Sequence, residues 1–95
     1  MRAELKVTGG KLIRVDCAVK HEKIASAKIT GDFFMHPEEA ISVLEKNLVG
    51  SAISEKDIER CVNESLNGDV VLVGASTADF ASVIIQAIRG SPTVE

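Results

Sequence analysis

The chain has no Trp and no Tyr, and its only aromatic residues are three Phe in 95 residues. Burying a ring removes much more area from water than burying a Val, so a chain this poor in rings concentrates bulky apolar surface wherever they stand. Two of the three, Phe33 and Phe34, are adjacent. Cysteine is scarce as well. Cys17 and Cys61 have neither CxxC spacing nor the number of thiols that a disulfide framework needs, and both read as reduced core residues. No stretch approaches the roughly 18 consecutive apolar residues that span a bilayer, and the start Met-Arg-Ala-Glu-Leu-Lys lacks the apolar centre of a signal peptide. A cytoplasmic location with no membrane partner follows as the expectation. A dominant positive charge is missing too: 11 Lys and Arg stand against 14 Asp and Glu, for a net charge of −3. The basic residues alternate along the chain with acidic ones, whereas phosphate binding needs them clustered, so nucleic acid is not expected as a partner.

What is present is enough for one compact domain over residues 1–95, with 45% hydrophobic and 26% charged residues. Ala3, Leu5 and Val7 alternate with Arg2, Glu4 and Lys6, the period of a half-buried strand. After Thr8-Gly9-Gly10 the alternation resumes, with Ile13, Val15, Cys17 and Val19 facing one way and Arg14, Asp16 and Lys20 the other. His21-Glu22-Lys23 turns into a third strand from Ile24 to Thr30, with Ala25, Ala27 and Ile29 expected on one side. The period then changes. Pro37 suits a first helical position, Glu38 and Glu39 suit the positive end of a helix dipole, and Ile41, Leu44 and Leu48 form a buried stripe that Gly50 ends. Ser54-Glu55-Lys56-Asp57 has the pattern of a capping box, followed by Ile58, Val62 and Leu66 and closed by Asn67-Gly68. The apolar run Val70 to Val73 fits either a short buried strand or an extended connection. Ser76-Thr77-Ala78-Asp79 repeats the capping pattern ahead of Phe80, Val83, Ile84, Ala87 and Ile88. Strands first and helices afterwards predict an α+β fold, a three-stranded antiparallel meander covered on one face by about three helices.

Reactive chemistry finds little support in this pattern. His21 and His36 have no ligand spacing, and Cys17 and Cys61 fall on apolar faces with no base beside them. Gly9-Gly10-Lys11 lies between two strands, where a hairpin turn explains the glycines better than a phosphate cradle. Gly74-Ala75-Ser76 precedes a helix, and the capping role of Ser76 accounts for it. Adjacent Glu38 and Glu39 point in different directions on a helix, unlike a catalytic carboxylate pair. No catalytic, cofactor-binding or metal-binding residue is therefore assigned. The remaining candidate is the strand exit Gly31-Asp32-Phe33-Phe34, where Asp32, Phe33, Phe34 and Met35 could anchor a partner, the rings and Met35 as apolar contacts and Asp32 as a polar one.

The run Gly9-Gly10-Lys11-Leu12-Ile13-Arg14-Val15, then Lys23-Ile24-Ala25-Ser26-Ala27-Lys28-Ile29, Gly31-Asp32-Phe33-Phe34 and a helix ending Leu48-Val49-Gly50, resembles the C-terminal accessory domain of lipoate–protein ligases. In that family a large catalytic domain activates lipoate with ATP to lipoyl-adenylate and passes the lipoyl group to a lysine of an acceptor domain. This chain carries no counterpart of that large domain. The resemblance implies a separately made small subunit of a two-component ligase, of the kind found in some archaea. Such a subunit is expected to form a heterodimer with the large subunit, to meet the lipoyl acceptor domain only indirectly, and to be needed for adenylation. ATP, Mg and lipoate would then reside on the large subunit. The arrangement of strands and helices is also similar to the iron–sulfur scaffold and sulfur-acceptor fold, although the cluster cysteines are missing here. A scaffold-like protein or another interaction module is the alternative.

Overall fold

The computed structural model describes residues 2–6, 11–66, 68 and 70–90. The expected Thr8-Gly9-Gly10 turn, Asn67 and the last five residues lie outside them. Strands β1 (Arg2–Lys6), β2 (Leu12–Lys20) and β3 (Lys23–Gly31) form the antiparallel meander in the order β1-β2-β3. A second sheet pairs β4 (Phe34–His36) with β5 (Val71–Val73), and the helices are α1 (Glu39–Leu48), α2 (Glu55–Ser65) and α3 (Thr77–Gly90). The fold is α+β, as the order of periodicities predicts.

The helices all lie on one face of the meander. Helix α3 packs on β1 and β2, α1 packs on β3, and α2 packs against both helices. Ile13, Val15 and Cys17 of β2 and Ile24 and Ile29 of β3 are buried beneath them, together with Leu44, Leu48, Ile58, Val62, Phe80, Val83 and Ile84. Helix interiors match the expected stripes, with one shift on α1, where Ala40 is buried and Ile41 is half-buried.

The meander departs from the alternation in one place. Ala25 was expected on the inner side with Ala27 and Ile29, yet Ala25 is exposed and Ile24 is buried. The pairing explains this: Ala18 faces Ser26 but Val19 faces Ile24, so Ala25 is an extra residue in a β-bulge. One unpaired residue inverts the face of everything beyond it and keeps Ile24 in the core opposite Val19. The turn that follows β2 places His21 and Glu22 at φ 54° and 63°, a left-handed pair that matches the twist of a two-residue hairpin.

Helix starts also differ from expectation. Pro37 stands ahead of α1, not at its first helical position: the helix begins at Glu39, and Pro37 carbonyl oxygen accepts from the Ala40 N–H at 3.0 Å. Ser54 flanks α2 with extended backbone but makes no side-chain cap, and the carboxylate of Asp57 pairs with Arg60 instead of reaching back to close a box. At α3 the box is complete. The Ser76 N–H donates to Asp79 Oδ2 at 2.9 Å, and the Asp79 N–H donates to Ser76 Oγ at 3.2 Å.

Beyond α1, Gly50 turns the chain at φ 88° so that the Gly50 N–H meets the Ile24 carbonyl, and the Ile24 N–H donates to Ser51. Glu45 reaches the same strand, its Oε2 accepting from the Ile29 N–H at 2.7 Å. The outer edge of β3 is thus covered by the chain's own loop and helix, which protects it from pairing with another strand.

Candidate functional site

The exit from β3 is built around a glycine. A Cβ on Gly31 would stand 2.1 Å from the Leu12 carbonyl oxygen and 2.9 Å from the Phe33 ring. Asp32 then closes the end of the β2–β3 ladder: its N–H donates to the Leu12 carbonyl at 3.2 Å, and its Oδ1 accepts from the Leu12 N–H at 2.6 Å. The carboxylate therefore serves the strand before it and does not cap the turn after it.

This clamp sends Phe33 inward and β4 outward. The Phe33 ring meets Phe80 edge to face, with centroids 4.9 Å apart and planes at 87°, one of the favoured aromatic geometries. Met35 enters the core and is 5% exposed. Phe34 points away from the core and is 56% exposed. Of the four residues that the sequence puts forward at the strand exit, Phe33 and Met35 are thus largely taken up by the core of the chain, and Asp32 is bonded to β2. Phe34 alone presents most of an apolar side chain to solvent.

Phe34 does not stand alone, because β5 aligns with it. The register places Phe34 opposite Val73, Met35 opposite Leu72 and His36 opposite Val71. Met35 and Leu72 turn toward the core, so Phe34, His36, Val71 and Val73 share the outer face. Val71 and Val73 are 52% and 53% exposed. Three of the six exposed large apolar side chains among the described residues therefore gather on one small ribbon. Beside it a depression of about 180 Å³ is lined by Phe33, Phe34, Met35, Glu38 and Ile41.

Val71 and Val73 were missed as site residues in the sequence, although a signal was present. A strand that is apolar without alternation is normally covered on both faces. The run Val70 to Val73 has this character, and this chain covers only one face of it.

The two thiols lie away from the ribbon. Cys17 is buried on β2 and Cys61 on α2. Burial pushes both thiols up, with hydrogen bonds from Ser65 and Ser51 opposing the shift at Cys61. Neutral thiols are poor nucleophiles, so the arrangement favours packing over chemistry. What the ribbon can do is bind: it offers a ring directly opposite one valine and diagonal to a second, and such aromatic anchors dominate interface energetics.

Comparison with known proteins identifies the family to which this fold belongs. Residues 1–84 match the family model described as bacterial lipoate protein ligase C-terminus. The chain is similar to lipoate-protein ligase A subunit 2 of Thermoplasma acidophilum, with 38% identity over 78 residues, 82% of this chain and 77% of that protein. It is also similar in structure to a chain of the bi-partite lipoate protein ligase solved with its E2 lipoyl domain from the same archaeon. That match has a TM-score of 0.78 and 35% identity, and covers 94% of this chain and 93% of the other. On this match of sequence and fold, the chain belongs to the lipoate–protein ligase C-terminal family.

Proposed function

We propose that this chain is the non-catalytic small subunit of a two-component lipoate–protein ligase, docking on the large catalytic subunit through the outer face of the β4–β5 ribbon. Together the two would carry out ATP-dependent activation of lipoate to lipoyl-adenylate in protein lipoylation, in the cytoplasm. ATP, Mg and lipoate would be held by the large subunit. The observation that carries this reading is the uncovered apolar face of Phe34, Val71 and Val73 on the fold of the ligase C-terminal family.

A subunit without reactive groups can still control a reaction. If it binds the adenylation-competent shape of the large subunit better than the other shapes, it shifts the population by its difference in affinity, and each ~1.4 kcal/mol of difference is tenfold. Burying this ring and the two valines of the neighbouring strand is an adequate source of such a difference. Phe34 would be the anchor, Val71 and Val73 the walls around it, and Asp32, Phe33 and Met35 the groups that hold β4 in place.

The test is reconstitution. The large subunit mixed with this chain is expected to release pyrophosphate in a lipoate-dependent manner at a rate the large subunit alone does not reach. Phe34→Ala should weaken the complex by about 30-fold or more, as loss of a central aromatic anchor does. Unchanged affinity in this variant moves the interface elsewhere, and ATP turnover by this chain alone would overturn the reading.

A further inference from the structure

Charges that alternate along the sequence separate in space. The outer face of the meander, opposite the helices, carries Arg2 and Lys6 from β1, Arg14 and Lys20 from β2, and Lys23 and Lys28 from β3, against Glu4 and Asp16. Six cations and two anions on this face leave five cations and twelve anions for the rest of a chain with net charge −3. The two anions are already engaged: Arg2 Nε pairs with Asp16 at 2.8 Å, and Arg14 Nε with Glu4 at 2.6 Å. Lys28 lies opposite Asp16, whose carboxylate Arg2 holds, and Lys20 directly faces Lys23 across the ladder. Like charges placed opposite each other cost stability in a sheet. Neighbouring strands are about 4.8 Å apart, so the three strands lie within roughly one Debye length at 0.1 M salt and their cations act as one field.

We infer that this face receives an acidic surface of the acceptor domain that accepts the lipoyl group. The inference rests on the function proposed above and adds a direct role where the family resemblance implies only an indirect one. The character of the face selects the occupant. A lasting subunit contact is apolar at its centre, as the ribbon is, whereas among the described residues this face has no exposed large apolar side chain, Leu12 at its end being half-buried. A face dominated by charge, with Ala18, Ser26 and Thr30 between the charged residues, speeds encounter and discriminates partners while leaving release easy. Among the macromolecules of the proposed reaction, the acceptor is the one that must arrive and leave in every turnover. Nucleic acid fits less well, because Glu4 and Asp16 sit within the face and no aromatic side chain is there to stack on bases.

The test uses the assembled two-subunit ligase with Lys20→Glu, Lys23→Glu and Lys28→Glu combined, beside a Lys→Arg set at the same positions. Pyrophosphate release and lipoyl transfer to the acceptor domain are measured across acceptor concentration and salt. The expected result is a KM for the acceptor raised about tenfold or more at low salt, within the usual range of electrostatic steering, with a flattened salt dependence. Adenylation should be unchanged, and the Lys→Arg set should behave as wild type. An unmoved acceptor KM overturns the inference. So does lost adenylation with KM unmoved, or a face that binds an RNA oligonucleotide or a second copy of this chain while acceptor KM stays constant. If the small subunit proves dispensable for adenylation, the proposed function fails separately, because that comparison needs no variant.

Discussion

Gly31 is the residue on which the strand exit depends most. A methyl group there would need to displace the Leu12 carbonyl, 2.1 Å away, and that carbonyl is held by the Asp32 N–H. Backbone cannot yield as the end of a side chain can. Gly31→Ala should therefore cost about 2–4 kcal/mol, the upper range for overpacking, read as a lower urea midpoint with unchanged slope. Because Phe33 is the second neighbour at 2.9 Å, the same variant should disturb the Phe33–Phe80 contact, visible as shifted ring resonances of both. An Ala variant with wild-type midpoint would mean that β2 and β3 end differently. Phe34 illustrates the opposite case at this scale. It contributes little to the fold, and its exposed ring is free to serve binding.

At the level of elements, two helices with the same sequence signal start differently. Ser76 and Asp79 bond reciprocally at α3, whereas Ser54 makes no side-chain bond at α2 and Asp57 turns to Arg60. Ser76→Ala should thus cost about 1 kcal/mol, the usual worth of a cap, and Ser54→Ala clearly less. For a domain of this length 1 kcal/mol corresponds to roughly 4–8 °C in Tm, which calorimetry separates easily. Equal losses in the two variants would contradict the observed bonding. The contrast shows what could be read from the chain. The stripes of α2 and α3 and the inner face of β2 follow from burial, which writes its period directly into the sequence. The bulge at Ala25 does not, because Ile24 and Ala25 are both apolar and either could have faced inward. The His21–Glu22 turn carries neither Asn nor Gly to announce its left-handed backbone. The β4–β5 pairing was hidden for another reason: each strand has three residues, and their partners are far apart in sequence. Phe34 was therefore visible as a ring, while Val71 and Val73 became site residues only when β5 was placed beside it.

For the whole molecule, the radius of gyration of 12.3 Å is about that of a fully compact chain of this length. The exposed ribbon is thus not the product of a loose fold. It is an apolar surface left outside a well-filled core, and short strands with solvent on one side open easily. In the isolated chain the amides of the β4–β5 ladder, with three residue pairs, should exchange faster than those of β2 and β3, which are joined by eight. If the large subunit covers the ribbon, opening requires dissociation first. At a concentration of about 100 Kd the partner should then stabilise the ladder by about 2.7 kcal/mol, slowing exchange by roughly 100-fold. Phe34→Ala should abolish most of this slowing while leaving the free-chain exchange of β2 and β3 unchanged. The location of the protection decides between surfaces. Slowing confined to β1 and the outer face of the meander would assign the large subunit to the charged side and leave the ribbon without its occupant, whereas slowing centred on Phe34, Val71 and Val73 assigns the large subunit to the ribbon and leaves the charged face free.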